Sequence, residues 1–215
     1  MEELTEILEN PTHLCNEIIG YTVTNTQIHI VYNFNDCHSL FYLIHQKKLI
    51  IPVKNLISYV NDLIEIINFY HQKRILISYK DLNLSNLFIS KNGKNLFADI
   101  FGYSTTFYTN ISKDIRHCGS ISHMAPELFT GENLDFPADI YSFGIVLYEI
   151  FSMKIPYEGK KEKDIIMDTV KGNRPDLKFL RDDTPLEYVE LIMKCLEKDP
   201  SKRPSANDII YFLKE

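Results

Sequence analysis

The sequence predicts an α+β fold with a small β portion followed by a mainly helical body. Three observations carry this: two short β-rich hairpins, one long amphipathic stretch between them, and only helix-period segments after residue 135. The chain has 215 residues, 45% hydrophobic and 24% charged, which suits one globular domain with its own core. No repeat, low-complexity tract or Gly/Ser linker divides it.

The elements follow in order. Glu2 to Glu9 reads as a short helix stopped by Pro11. Ile18–Val23 and Ile28–Tyr32 are apolar, β-rich runs separated by Thr24-Asn25-Thr26, hence a hairpin. A short helix is expected over Ser39–Gln46. Pro52 then opens the clearest helix, because Val53, Leu56, Ile57, Val60, Leu63, Ile64, Ile67 and Tyr70 recur at three- and four-residue spacing. Leu87–Ser90 and Asn95–Asp99 flank Lys91-Asn92-Gly93-Lys94, a hairpin with an Asn-Gly turn. The polar stretch from Tyr103 to Ser122 is too long for a simple connection and reads as functional. Helices are expected over Ala138–Ser152, Lys161–Lys171, Leu186–Glu197 and Ser205–Lys214.

Charge and composition exclude several function classes. A net charge of −6 leaves no basic excess to neutralise phosphates, so no nucleic-acid partner is expected. Cys15, Cys37, Cys118 and Cys195 lack the paired spacing of a zinc site or a disulfide framework. His117, Cys118 and His123 likewise show no metal-site spacing, and no metal is expected. The apolar run from Ile140 to Met153 is interrupted by Tyr141, Ser142, Gly144 and Glu149, and the N-terminus lacks a signal-peptide core. A cytoplasmic protein with no membrane contact is the resulting expectation.

The motifs resemble those of the protein kinase family. Tyr79-Lys80-Asp81-Leu82-Asn83-Leu84-Ser85-Asn86 is similar to the kinase catalytic loop H-R-D-L-x-x-x-N. Tyr79 replaces the usual His, and Asn83 stands where many serine/threonine kinases carry Lys. The resemblance implies that Asp81 would accept the substrate hydroxyl's proton and Asn86 would hold Mg²⁺. Asp99 follows at the interval of the metal-binding Asp of D-F-G, but Ile100-Phe101-Gly102 comes after it. Either Ile100 and Phe101 occupy the Phe and Gly positions, or one residue is inserted. Met124-Ala125-Pro126-Glu127 resembles A-P-E, and Arg203-Pro204 the late Arg-Pro whose guanidinium pairs with that Glu. Asp139, opening the run to Glu149, resembles the residue that caps catalytic-loop N–H groups. The resemblance thus gives Glu127, Arg203 and Asp139 structural roles, within a kinase-like fold of residues 1–32 (an N-lobe remnant) and 33–215 (the C-lobe).

The Gly-rich loop, the phosphate-binding Lys and the helix Glu of kinases have no match, and counting back from Asn10-Pro11 puts that Glu near Met1. The expectation is therefore a catalytically inactive pseudokinase, not an enzyme, with Asp81, Asn86 and Asp99 vestigial and no cofactor. Tyr141 to Ile150, Ile155-Pro156-Tyr157-Glu158-Gly159 and Asp199 to Ser205 resemble mixed-lineage kinase domain-like pseudokinases of the tyrosine-kinase-like branch. The short chain is similar to their poxvirus homologues. That resemblance implies a viral host-interaction protein that binds and sequesters a host receptor-interacting serine/threonine kinase, inhibiting necroptosis from the host cytoplasm. Ile18 and Ile30 on an uncovered hairpin face, and Phe129 as an exposed aromatic anchor, are the partner-binding candidates; a homodimer through the same edge is possible. The alternatives are a residual nucleotide-binding or protein-phosphotransferase enzyme, or a C-lobe fragment of a full kinase. Phosphorylation of the hydroxyls between Tyr103 and Ser122 is a further expectation.

Overall fold

The computed structural model describes residues 18–23, 28–32, 37–77, 82–99, 120–131 and 135–214. The expected helix over Glu2–Glu9 and most of the Tyr103–Ser122 stretch lie outside the described residues. Strands β1 (Ile18–Val23) and β2 (Ile28–Tyr32) form the first hairpin, antiparallel, with a register shift between Ile18 and Gly20. Ile18 and Ile30 stand in these strands, and the side-chain surface expected of them lies outside the described residues.

A second, three-stranded sheet has the order β3 (His38–Ser39), β4 (Leu87–Ile89), β5 (Leu96–Ala98), all antiparallel. The expected helix over Ser39–Gln46 is shorter than that span. His38 and Ser39 pair instead with Ile89 and Phe88, and a single π-type turn covers Tyr42–Gln46. Local pattern could not find this pairing, because the partner strand lies some fifty residues on.

Helix α1 (Val53–Gln72) follows the predicted periodicity, burying Leu56, Val60, Leu63, Ile64, Ile67 and Tyr70. It starts directly after Pro52, whose φ suits the helix entrance. Helix α2 (Pro126–Thr130) is a short element that the sequence pattern did not announce. Helix α3 (Pro137–Ser152) is buried on all sides from Ala138 to Ser152, the pattern of a helix at the centre of a domain. Helices α4 (Glu162–Lys171), α5 (Leu186–Cys195) and α6 (Ala206–Phe212) follow it in the chain. Helix α3 packs on α1 and α5, α1 also contacts α6 and β5, and α2 rests on α4. Ser205 and Asp208 close a capping box at the start of α6, so Ser205 is a cap and not a helical residue.

Two features fix the central helix. Arg181 donates from its guanidinium to the Ile51 carbonyl at 2.7 Å, while its backbone N–H reaches the Phe151 carbonyl at 3.1 Å. This ties the entrance of α1 to the exit of α3. Gly144 lets α3 and α5 approach closely: a Cβ there would sit 2.7 Å from Cys195 Cβ and 2.9 Å from a Leu196 methyl. Gly144→Ala is expected to lower stability by about 1–3 kcal/mol through overpacking, despite alanine's better helix propensity. Urea unfolding checks this, and a gain in stability would contradict the packing described.

Candidate active site

The β4–β5 hairpin builds the candidate site. Its ladder pairs Leu87 with Ala98 and Ile89 with Leu96, and the Asn-Gly turn closes it, with Gly93 at φ 69°. Asn92 Oδ1 accepts from the Lys94 N–H at 3.0 Å, stiffening the turn. One step beyond the paired residues, the Asp99 N–H donates to the Asn86 carbonyl at 2.8 Å. The hairpin thus places Asn86 and Asp99 opposite one another at the open end of the ladder, both half-buried.

Helix α1 anchors this hairpin. The Tyr59 hydroxyl donates to the Gly93 carbonyl at 2.7 Å, and Asp62 Oδ2 accepts from the Leu96 N–H at 3.1 Å. Burial raises the Asp62 carboxyl above its ordinary range, the Leu96 bond partly opposing it. Upstream of Asn86, Asn83 Oδ1 accepts from the Ser85 N–H at 2.9 Å, and its carbonyl from the Asn86 N–H at 3.1 Å. Asn83 therefore closes its own Asx-type turn. The Phe41 N–H donates to Leu84 O at 3.0 Å, attaching the loop to β3. Asp81 and residues 100–119 lie outside the described residues.

The donor set suits a hard divalent cation. Among the described residues no group of three or more His, Cys, Asp or Glu side chains could hold a metal. Asn86 and Asp99 instead stand opposite one another in the hairpin, and both residue types carry oxygen donors. Mg²⁺ is commonly bound in this way, by one or two protein ligands with phosphates and water completing its shell.

The segment beyond residue 120 is locked from below. Arg203, with its side chain fully buried, meets Glu127 in two parallel bonds, Nη1 to Oε1 at 2.6 Å and Nη2 to Oε2 at 2.9 Å. Nη1 also donates to Pro137 O, Nη2 to Lys198 O and Nε to Glu197 O. All five guanidinium N–H groups are thereby used. Its plane and that of Arg174 both approach the buried Tyr141 ring, each at 5.1 Å. Phe129, the expected exposed anchor, is half-buried and packs against the core, so an aromatic resting on apolar neighbours replaces a free side chain.

Asp139 is buried in the first turn of α3. Its Oδ2 accepts from the Ile77 N–H and from His71 Nε2, both at 2.9 Å. Ile77 lies four residues before Asp81, so this carboxylate holds the backbone that leads into the catalytic-loop match. Burial pushes its carboxyl up to about 6, with His71 and the Ile77 N–H pulling the other way. Because the folded value exceeds the ordinary one near about 4, the cost of ionising Asp139 is present above pH 6. It is relieved as pH falls from about 6 towards 4. The stability of the natural chain relative to Asp139→Asn is therefore expected to rise between pH 7 and pH 5. Denaturant unfolding at the two pH values checks it, and a difference that stays flat would contradict it.

A second carboxylate, Glu149, was not among the sequence candidates. It lies between two imidazoles, Oε1 at 2.7 Å from His45 Nε2 and Oε2 at 3.1 Å from His123 Nε2. Burial would raise its carboxyl, yet the bonds from His123 and His45 hold it below the ordinary glutamate value. The available signal was a lone acidic residue inside an otherwise apolar run, which requires a buried partner.

Comparison with known proteins bears on this geometry. The model of the protein kinase domain family matches residues 6–211. A Dictyostelium discoideum protein named as a LIM domain-containing serine/threonine-protein kinase is 34% identical over 146 residues, covering 67% of this chain and 14% of that protein. A protein of Acanthamoeba polyphaga mimivirus, named as a serine/threonine-protein kinase/receptor, is 30% identical over 149 residues, covering 69% and 9%. Another Dictyostelium discoideum protein with a serine/threonine-protein kinase name is 29% identical over 218 residues, covering 98% and 16%. The chain spans between 9% and 16% of the length of these relatives. The expectation that the chain is no enzyme is corrected by these matches: a protein kinase domain family model and relatives named as serine/threonine-protein kinases point to an enzyme. The narrower resemblance to necroptosis pseudokinases and poxvirus proteins has no support among these relatives, and none of them bears on a receptor-interacting kinase partner. No helix among the described residues is long and apolar enough to cross a membrane.

Proposed function

The chain belongs to the protein kinase domain family, and we propose that it carries the catalytic loop and metal-binding hairpin of a Mg·ATP-dependent protein kinase acting on serine or threonine. The observation that carries this is the Asp99 N–H to Asn86 carbonyl bond at 2.8 Å, which sets two residues with oxygen-donor side chains opposite one another. Asn86 and Asp99 would hold the cation, which supplies charge neutralisation on the transferring phosphoryl group. Asp81, by its place in the loop match, would accept the proton of the acceptor hydroxyl. The remaining residues work by positioning. Tyr59 and Asp62 hold the hairpin to α1, Asp139 holds the backbone at Ile77 that leads towards the loop, and Glu127 with Arg203 holds the segment that enters α2. Phosphoryl transfer depends chiefly on placement and electrostatics, so rigid anchoring of this kind is what the reaction asks of a protein. The serine/threonine names of the relatives support the acceptor class.

Incubation of the full natural protein with Mg·ATP and matched peptides carrying Ser, Thr or Tyr tests the reading. Phosphate on Ser or Thr is the expected result. Exclusive labelling of Tyr would overturn the acceptor class, and no labelling would overturn the activity.

A further inference from the structure

The buried carboxylate between two imidazoles has a consequence for two serine hydroxyls that the phosphotransfer reading does not use. His123 is buried in the turn Ile121–His123, and its two ring nitrogens face different partners. Nε2 meets Glu149 Oε2 at 3.1 Å; Nδ1 lies 3.0 Å from Ser120 Oγ and 3.1 Å from Ser122 Oγ. The two hydroxyl oxygens are themselves 2.7 Å apart. His45 Nε2 holds the other Glu149 oxygen, and Ser142 Oγ donates to the His123 carbonyl at 2.8 Å, fixing the turn on α3.

The chemistry of the ring sets the directions. An ionised carboxylate only accepts, so the His123 nitrogen facing Glu149 carries the proton. In neutral His123 the other nitrogen, Nδ1, is then bare and only accepts. One serine hydroxyl donates to Nδ1 and the second donates to the first, so both hydroxyl hydrogens are consumed inside the cluster. In protonated His123, Nδ1 becomes a donor and must be accepted by a serine oxygen. The hydroxyls can then satisfy only one of their own hydrogens internally, and the other is released.

We propose that His45, Glu149, His123 and the Ser120/Ser122 pair form a proton-operated relay, in which Glu149 fixes the His123 tautomer and protonation of His123 reverses the hydroxyl chain and frees one hydroxyl donor at the half-buried segment leading into α2. Among the described residues the charged groups around the relay are as follows. The groups acting on Glu149 are His123 and His45. At the other end of α3, Asp139 is bonded to His71. Helix α4, which also packs on this turn, buries Ile165 and Thr169, exposes Glu162, Lys163, Asp164 and Lys171, and has Asp168 tied to Lys160. From α5, buried Tyr188 stacks on Phe151. The relay involves neither Asn86 nor Asp99 as a member and does not rest on the phosphotransfer reading.

Long-range ¹H–¹⁵N spectra of the imidazoles in the full chain, recorded between about pH 5 and 8 where histidine changes charge, test it. Where His123 is neutral the pure Nε2–H tautomer with a bare Nδ1 is expected, and where it is protonated a serine oxygen is expected to accept from Nδ1–H. In Glu149→Gln, whose amide can either donate or accept, the alkaline tautomer preference is expected to be lost. In Ser120→Ala/Ser122→Ala, at two half-buried positions, the Nδ1 resonance is expected to move while the Nε2–H tautomer is kept. A Nδ1–H tautomer at alkaline pH, or a His123 spectrum unmoved by both variants, would overturn the relay.

Discussion

Arg203→Ala is expected to lower the stability of the domain by about 3–5 kcal/mol, the loss that follows when one partner of a buried ion pair is removed. The reason is the completeness of its bonding. The guanidinium satisfies both Glu127 oxygens and three carbonyls, those of Pro137, Glu197 and Lys198, and its plane covers the Tyr141 ring. Alanine leaves a buried carboxylate and three part-buried carbonyls without this donor at once. Arg203→Lys is expected to recover only part of the loss, since one ammonium cannot span both carboxylate oxygens and three carbonyls. Glu127→Ala is expected to cost comparably, and the double variant less than the sum of the two, because each single change strands the same partner. Urea unfolding of the four proteins checks this. Additive losses would contradict the pairing.

The second large effect concerns chemistry. Asp81→Asn is expected to reduce turnover by about 10²–10⁴-fold, the usual contribution of a general base, while leaving nucleotide binding intact. Asp99→Asn is expected to fail earlier, at Mg·ATP binding, because it replaces a charged metal ligand with a neutral one. The Asp99 backbone N–H bond to the Asn86 carbonyl does not involve the carboxylate and is kept in Asp99→Asn. Stabilisation by nucleotide separates the two. At 100 times its dissociation constant Mg·ATP should stabilise the natural protein and Asp81→Asn by about 2.7 kcal/mol, and Asp99→Asn much less. Equal stabilisation of all three would remove Asp99 from the metal site.

The parts of this molecule that were legible in its sequence are those with local signatures. The three- and four-residue spacing from Val53 to Tyr70 defined α1, and Asn92-Gly93 defined the hairpin that brings Asn86 to Asp99. The pairing of Glu127 with Arg203 came from motif resemblance, since nothing in either residue's neighbourhood names a partner 76 positions away. The contacts that remained hidden join distant segments without a motif. His45 and Glu149 are 104 positions apart and His123 and Glu149 are 26, and each histidine in isolation looks like an ordinary packed side chain. Strand β3 was hidden for the same reason, its pairing with β4 being non-local. The inference of inactivity failed differently. It weighed upper-lobe motifs that have no match in the chain above the retained hairpin, and family membership with serine/threonine kinase relatives outweighs that argument.

The most direct test of the central reading is transfer of the labelled γ-phosphoryl group of ATP to a serine or threonine peptide by the full natural protein, with Mg²⁺ and with a chelator. The expected result is Mg²⁺-dependent labelling that falls by at least about 10²-fold in Asp81→Asn and is lost with the chelator. Labelling that is absent from the natural protein, or that survives undiminished in Asp81→Asn and Asp99→Asn, would contradict it.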